Sequence, residues 1–215
     1  MAAIYGNAAL TIIAAAGDDP SHGLPGVGVN REVPFNETLV GPVYLRHEWD
    51  GVEDVLQSKW ASRGWTLQET YLSKKRLLFT MKEVIFACNT ELICEYSRVK
   101  HQRQLGITGV VFGPGFATEL DEDKAPIRLI EAYSKRQLGR QDDALKAISG
   151  MLHTLTKPGS KYARLWCILY ERPEQPSCYL KLLWKSTQRG DRRADFPSWS
   201  PLGRTSHIDF VESVY

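Results

Sequence analysis

The chain has 215 residues, a length that fits one large domain or two small ones, and 43% of them are hydrophobic, so it can bury a core without disulfides or metals. Charged residues make up 24% and the net charge is only +2, so nothing indicates the clustered basic face that a nucleic-acid-binding protein needs. Cys88, Cys94, Cys167 and Cys178 lack the spacing of a zinc site, so we expect reduced thiols, no metal and a cytoplasmic protein.

The first part of the sequence predicts a sheet and helices. The apolar run ALTIIAAA predicts a buried strand that stops at GDDP, and it is far shorter than the roughly 20 apolar residues of a membrane-spanning helix. The glycine-rich loop at 17–30 has neither GxGxxG nor a P-loop motif, and PVYLRH predicts a second strand. Residues 51–73 have a helical pattern with Gly64 as its weak point. RLLFT and EVIFAC then predict a hairpin, which ELICEYSR extends.

The later part predicts mainly helices. APIRLIEAYSKRQL has Pro126 near a helix start, and RQDDALKAISGMLHTL has Asp142 or Asp143 as its N-cap. SKYARLWCILYERP is predicted to be a helix that Ser160 caps and Pro173 stops, and CYLKLLWK to be a short strand or buried turn. The fold class predicted from these patterns is α/β, followed by a mainly helical C-terminal region.

Glu69 is the residue that stands out. In a helix from Trp60 to Leu72, Glu69 lies on one stripe between Trp65 and Leu72, where carbon is usual. Packing on the sheet would partly desolvate the carboxyl group beside Trp65, a common setting for a catalytic acid. The alternative is that Glu69 reaches solvent, or forms a structural ion pair with Arg63 or Arg76. Arg63 itself could bind a phosphate or carboxylate bidentately, through two of its guanidinium N–H groups.

The same residues carry a family resemblance. RGWTLQE, followed by LSKKRLLF and VIFAC, resembles the signature of the fungal heterokaryon-incompatibility (HET) domain. The N-terminal 27 residues resemble the family's Met-x-x-Ile-Tyr-x-x-Ala segment, strand and Gly-Leu-Pro-Gly-Val loop. LIEAYSKRQLGRQDDALKAISGML and FPSWSPLG are similar to its later blocks, with Pro201 where the family has tryptophan. Two opening blocks of the family do not occur, so we expect a HET domain without its N-terminal part.

The resemblance implies a fold, a function and a site. HET domains are thought to be distantly similar to Toll/interleukin-receptor (TIR) domains, so the sheet is expected to be an incomplete TIR-like, flavodoxin-like sheet. Some TIR domains cleave NAD with a glutamate, and by that analogy Glu69 is the candidate catalytic carboxylate. Arg63, Trp65 and Gln68 are then candidate ligand-binding residues, with Trp65 excluding water and Arg63 contacting a phosphate.

Three functional hypotheses remain open from the sequence. The first is a cytoplasmic protein of fungal non-self recognition that promotes regulated cell death through assembly or partner binding, with protein partners or copies of itself. The second is a TIR-like NAD glycohydrolase, with NAD as substrate and no bound cofactor. The third is an inactive remnant. Residues 1–97 are predicted to be the C-terminal part of a HET domain, and residues 98–215 a HET-associated helical region.

Overall fold

The computed structural model describes residues 1–31, 37–46, 51–89, 91–95, 125–160, 162–171 and 183–211. Its main sheet has four strands in the order β1-β6-β7-β8. The bounds of these strands are β1 Thr11–Ala14, β6 Lys75–Phe79, β7 Val84–Cys88 and β8 Leu92–Cys94. β1 and β6 are parallel, whereas β6, β7 and β8 are antiparallel to their neighbours. The predicted first strand, hairpin and extension are thereby confirmed.

Four short strands lie between β1 and the helices that follow. They form two small two-stranded sheets: β2 Leu24–Pro25 with β3 Gly28–Val29, and β4 Glu37–Val40 with β5 Val43–Arg46. The strand predicted in PVYLRH corresponds to β5.

The connection from β1 to β6 runs through three short helices. They are α2 Gly51–Gln57, α3 Lys59–Ser62 and α4 Leu67–Leu72. Val52, Val55 and Trp60 form one buried cluster with Ile13 and Leu78 of the sheet. Because β1 and β6 are parallel, this connection is a crossover that covers one face of the sheet with helices. A mixed sheet with helices confirms the α/β class, while the TIR-like topology remains a prediction.

The helix predicted from Trp60 to Leu72 is interrupted at residues 63–66. Gly64 donates its backbone N–H to the carbonyl of Gln137 (2.7 Å) and not to a carbonyl of its own helix. The hydroxyl of Thr66 lies 2.6 Å from the carbonyl of Trp60 and 2.7 Å from that of Arg63, so a side chain bonds to two backbone carbonyls at the end of α3. The interruption separates α3 from α4, so Trp60 and Trp65 do not have the partners that one continuous helix would give them.

A second core joins α4 to the later part of the chain. Here α5 Ala125–Ser134 and α6 Ala144–Leu155 confirm the two predicted helices, although the side chain of Asp143 caps no backbone group of α6. Leu67 is buried in one cluster with Leu129, Ile148 and Leu152. Residues of the two predicted regions, 1–97 and 98–215, therefore share a core, and the predicted boundary itself lies outside the described residues.

The helix predicted at residues 160–173 is wrong. Tyr162–Leu165 and Ile168–Glu171 form an antiparallel hairpin, β9 and β10, with a two-residue turn at Trp166 and Cys167. A second antiparallel pair follows, β11 Trp184–Ser186 and β12 Ile208–Phe210. The described residues after 97 are thus less helical than predicted, because short runs of aromatic and branched residues form antiparallel strand pairs. Among the described residues, none of the helices has the length and hydropathy needed to cross a bilayer.

Candidate functional site

The loop after β1 forms one wall of a cleft. Gly17 has φ +73°, and a Cβ at this position would lie 2.2 Å from Cγ of His22, so only glycine fits without movement. Asp19 then accepts a hydrogen bond from the backbone N–H of Ser21 (2.8 Å), which begins a 3-10 helix at Pro20–His22. These contacts fix the loop at the carboxyl end of β1, the edge where open α/β sheets bind ligands.

Two clefts meet at this loop. The smaller has a volume of about 270 Å3, and Lys59, Trp60, Arg63 and Glu69 line it opposite the loop. The larger has a volume of about 550 Å3 and reaches the turn after β6. Both clefts share Lys59 and the loop residues 16–19.

Glu69 is held by two hydrogen bonds in the smaller cleft. Trp60 Nε1 donates to Oε2 (2.8 Å) and the Tyr5 hydroxyl donates to Oε1 (3.3 Å). Burial, followed by the negative charge of Glu69, raises the pKa of Tyr5, so this phenol stays protonated as a donor. The carboxylate is half-buried and keeps further lone pairs for a cation, a hydroxyl group or a developing positive charge.

Arg136 supports the same site from the later part of the chain. Its Nη1 donates to the backbone carbonyl of Arg63 (3.2 Å) and to the Thr66 hydroxyl (3.1 Å). Burial lowers the pKa of Arg136 to about 10, while the nearby charge of Glu69 acts in the opposite direction. A partly buried cation from outside the predicted HET region is therefore close to the candidate carboxylate.

The structure brings together only some of the predicted site residues. Glu69 and the exposed Arg63 line the same cleft. Trp65 packs instead against the core around α5 and α6, and Gln68 is 2% exposed and faces Gly150 of α6. The tryptophan that contacts Glu69 is Trp60, because the break after α3 separates Trp65 from the predicted stripe.

Arg76, one of the two arginines considered as an ion-pair partner of Glu69, forms its hydrogen bonds with other groups. Arg76 is fully buried and donates from Nη1 to the carbonyl of Thr70 (2.5 Å), and burial lowers its pKa to about 10. Sequence reasoning missed Tyr5, Lys59 and Arg136 as parts of the site. Tyr5 and Arg136 lie 64 and 67 residues away from Glu69 in the chain, so no local pattern could join them to it.

Polar and charged groups also line the larger cleft. His22 Nε2 lies 3.0 Å from the sulfur of Met81, and Lys82 forms an ion pair with Asp54 (2.8 Å). In the part of the chain that the structure describes, no group of three or more His, Cys, Asp or Glu side chains has a geometry that could hold a metal ion.

The first part of the chain matches a protein family model. A family model described as "Heterokaryon incompatibility protein (HET)" matches residues 1–69. Residues 1–69 resemble the HET family. The match confirms the resemblance over this HET segment, which includes Tyr5, Trp60, Arg63 and Glu69, and it suggests a function in heterokaryon incompatibility. Neither the curated proteins nor the solved structures gave a match.

Proposed function

We propose that this chain acts in fungal non-self recognition and promotes regulated cell death in the cytoplasm, through assembly or through binding a protein partner. The HET match over residues 1–69 carries the proposal. In this proposal residues 1–97 are the C-terminal part of a HET domain and residues 98–215 are a HET-associated region. The core that both regions share supports a single signalling unit.

Inducible expression in a fungal host tests this function. We expect viability to fall when the wild-type chain is expressed. A Leu67→Asp variant is the control, because it places a charge at a fully buried core position and should abolish the folded state. Unchanged viability at confirmed wild-type expression would contradict the proposal and favour an inactive remnant.

As a second candidate we infer cleavage of NAD with Glu69 as the catalytic carboxylate. The position of Glu69 favours it: a half-buried carboxylate in a cleft at the carboxyl end of β1, beside Arg63 and Lys59. The bond between ribose C1′ and the nicotinamide nitrogen breaks, and its electron pair leaves with nicotinamide. Glu69 stabilises the positive charge that develops at C1′. Water then adds to C1′ and releases one proton, which gives ADP-ribose.

Nicotinamide release from NAD by the purified chain tests the second candidate. We expect a Glu69→Gln variant to lose about 100-fold or more of the rate, because the amide no longer balances the developing charge. Glu53→Gln is the matched control, since Glu53 is an exposed carboxylate on α2 that does not line either cleft. Equal release by wild type and Glu69→Gln would contradict a catalytic role.

A further inference from the structure

The loop that follows β1 carries backbone donors with no acceptor among the described residues. The N–H groups of Ala15 and Ala16 both donate to the carbonyl of Phe79, at 2.9 Å each. In the part of the chain that the structure describes, no group accepts a hydrogen bond from the N–H groups of residues 17–19, which come next. Gly17 has φ +73°, and successive N–H groups in such a turn can bind an anion. The loop lines both clefts.

Two cations line the smaller cleft opposite this loop. Lys59 and Arg63 are exposed, and their side chains form no hydrogen bond or ion pair with another described residue. Lys59 is close enough for its charge to act on the loop: hydrogen bonds from Ser21 lower the pKa of Asp19, and the charge of Lys59 acts in the same direction. Phosphate is the anion that fits, because lysine, arginine and backbone N–H groups all donate to its oxygens.

The rest of the two clefts indicates what the phosphate carries. Glu69 keeps lone pairs that accept from a hydroxyl group, which a sugar supplies. The larger cleft extends from Lys59 to Thr80 and Lys82, and its volume of about 550 Å3 admits a second group beyond the phosphate. Lys82 is paired with Asp54 (2.8 Å), so Lys59 is the described cation that both clefts share. A diphosphate with a group at each end matches this arrangement.

We propose that Lys59, Arg63 and the N–H groups of residues 17–19 bind the diphosphate of a ligand that has a sugar on each side of it. One sugar lies at Glu69 and the other lies in the larger cleft. The exposed carboxylate of Asp18, on the same loop, opposes the charge of the phosphates and limits the affinity. This inference rests on the proposed NAD-cleaving site, because it names where the diphosphate of that substrate binds, but it concerns binding and requires no bond to break.

Isothermal titration calorimetry of the full chain with ADP-ribose tests the site without turnover. We expect Lys59→Gln to bind ADP-ribose about tenfold or more weakly than wild type, because one charged donor to the diphosphate is lost. Lys157→Gln is the matched control, since Lys157 is also an exposed lysine but lines neither cleft, and it should bind as wild type does. Absence of ADP-ribose binding by wild type, or an equal loss in both variants, would overturn the proposal.

A gain of affinity keeps the test decisive, because a poorly folded variant cannot produce it. We expect Asp18→Asn to bind ADP-ribose several-fold more tightly than wild type, since a like charge beside the phosphates is removed. Glu53→Gln removes the same charge from an exposed position outside both clefts and should leave the affinity unchanged. An equal effect of the two variants would mean that net charge alone acts, and would contradict a phosphate site at this loop.

A smaller probe tests whether the ligand spans both clefts. Ribose 5-phosphate has one phosphate and one sugar, so we expect it to bind about tenfold or more weakly than ADP-ribose. Equal affinity would contradict the use of the larger cleft. Binding and cleavage can also fail separately. ADP-ribose binding without nicotinamide release supports this site and rejects the enzyme, whereas nicotinamide release that does not depend on Lys59 rejects this site and retains the enzyme.

Discussion

The hydrogen bonds of Glu69 give this carboxylate a structural role as well as a candidate catalytic one. Trp60 is 8% exposed and its indole N–H donates to Glu69, while Tyr5 from α1 (Ala2–Asn7) donates to the other oxygen. Loss of the carboxylate would therefore affect folding and activity together, which is why the activity test uses glutamine and not alanine.

Stability measurements separate these roles. We expect Glu69→Ala to lower the free energy of unfolding by about 1–3 kcal/mol, because the buried N–H of Trp60 loses its acceptor. Glu69→Gln should retain most of the stability, since the amide oxygen accepts from Trp60 and the amide nitrogen donates to the Tyr5 hydroxyl. Urea unfolding followed by tryptophan fluorescence measures both variants. Equal stability of Glu69→Ala and wild type would show that these hydrogen bonds contribute little.

The buried thiol of Cys167 makes the free energy of unfolding depend on pH in alkaline solution. Burial raises the pKa of this thiol from its ordinary value of 9.0 to about 12. The unfolded thiol loses its proton at a pH at which the folded thiol keeps it. The contribution of this thiol to the free energy of unfolding is therefore fully retained below pH 9.0. It is lost as pH rises from there towards 12, by at most about 1.4 kcal/mol per pH unit.

A Cys167→Ala variant should reduce this slope even if its overall stability is lower. Urea unfolding at several pH values just above 9.0, the ordinary thiol pKa, measures the slope before tyrosine and arginine side chains contribute. The same slope in wild type and variant would mean that another group causes the loss of stability.

At the scale of elements, sequence patterns succeeded where the partners are near in the chain. The hairpin of β6 and β7 followed from two β-rich runs, and α6 followed from apolar residues at helical spacing. The hairpin of β9 and β10 was missed because Tyr162, Trp166 and Leu169 also have helical spacing. Its turn, Trp166–Cys167, contains none of the glycine or asparagine that usually marks a hairpin.

Trp166 itself is strained in this turn. Its φ is +55°, a conformation that favours glycine, and its ring lies 5.6 Å from that of Phe196. We expect Trp166→Gly to be more stable than Trp166→Ala by about 1 kcal/mol, because both lose the ring contact but only glycine relieves the strain. Thermal unfolding of the two variants decides this. If Trp166→Ala were the more stable, the left-handed conformation would cost little.

At the scale of the whole molecule, the candidate site depends on contacts that no sequence pattern could predict. The sequence indicated Glu69 and Arg63, which line the same cleft. Glu69 lies on α4 and Arg63 lies in the break before it. The sequence could not indicate Trp60 in place of Trp65, because the break at residues 63–66 depends on the carbonyl of Gln137, far along the chain. Tertiary contacts therefore set which side chains meet at the cleft.

Residues 136 and 137 connect the two regions at this break. Gly64 donates to the carbonyl of Gln137, Gln137 donates to that of Ser62, both at 2.7 Å, and Arg136 donates to Arg63 and Thr66. We call residues 136–137 the strap. The strap holds the segment between α3 and α4, and hence the distance between Trp60 and Glu69, from outside the HET segment.

Removal of the guanidinium should loosen the strap. We expect Arg136→Met to lower the free energy of unfolding by about 1.5–3 kcal/mol, because a charged donor to two acceptors is lost. Amide hydrogen exchange at Gly64 and Gln137 should become faster, since their reciprocal hydrogen bonds open more often. Arg140→Met is the matched control: Arg140 pairs with Asp142 on the surface, so neither measurement should change. Equal exchange in both variants would mean that the backbone pairing holds the break without Arg136.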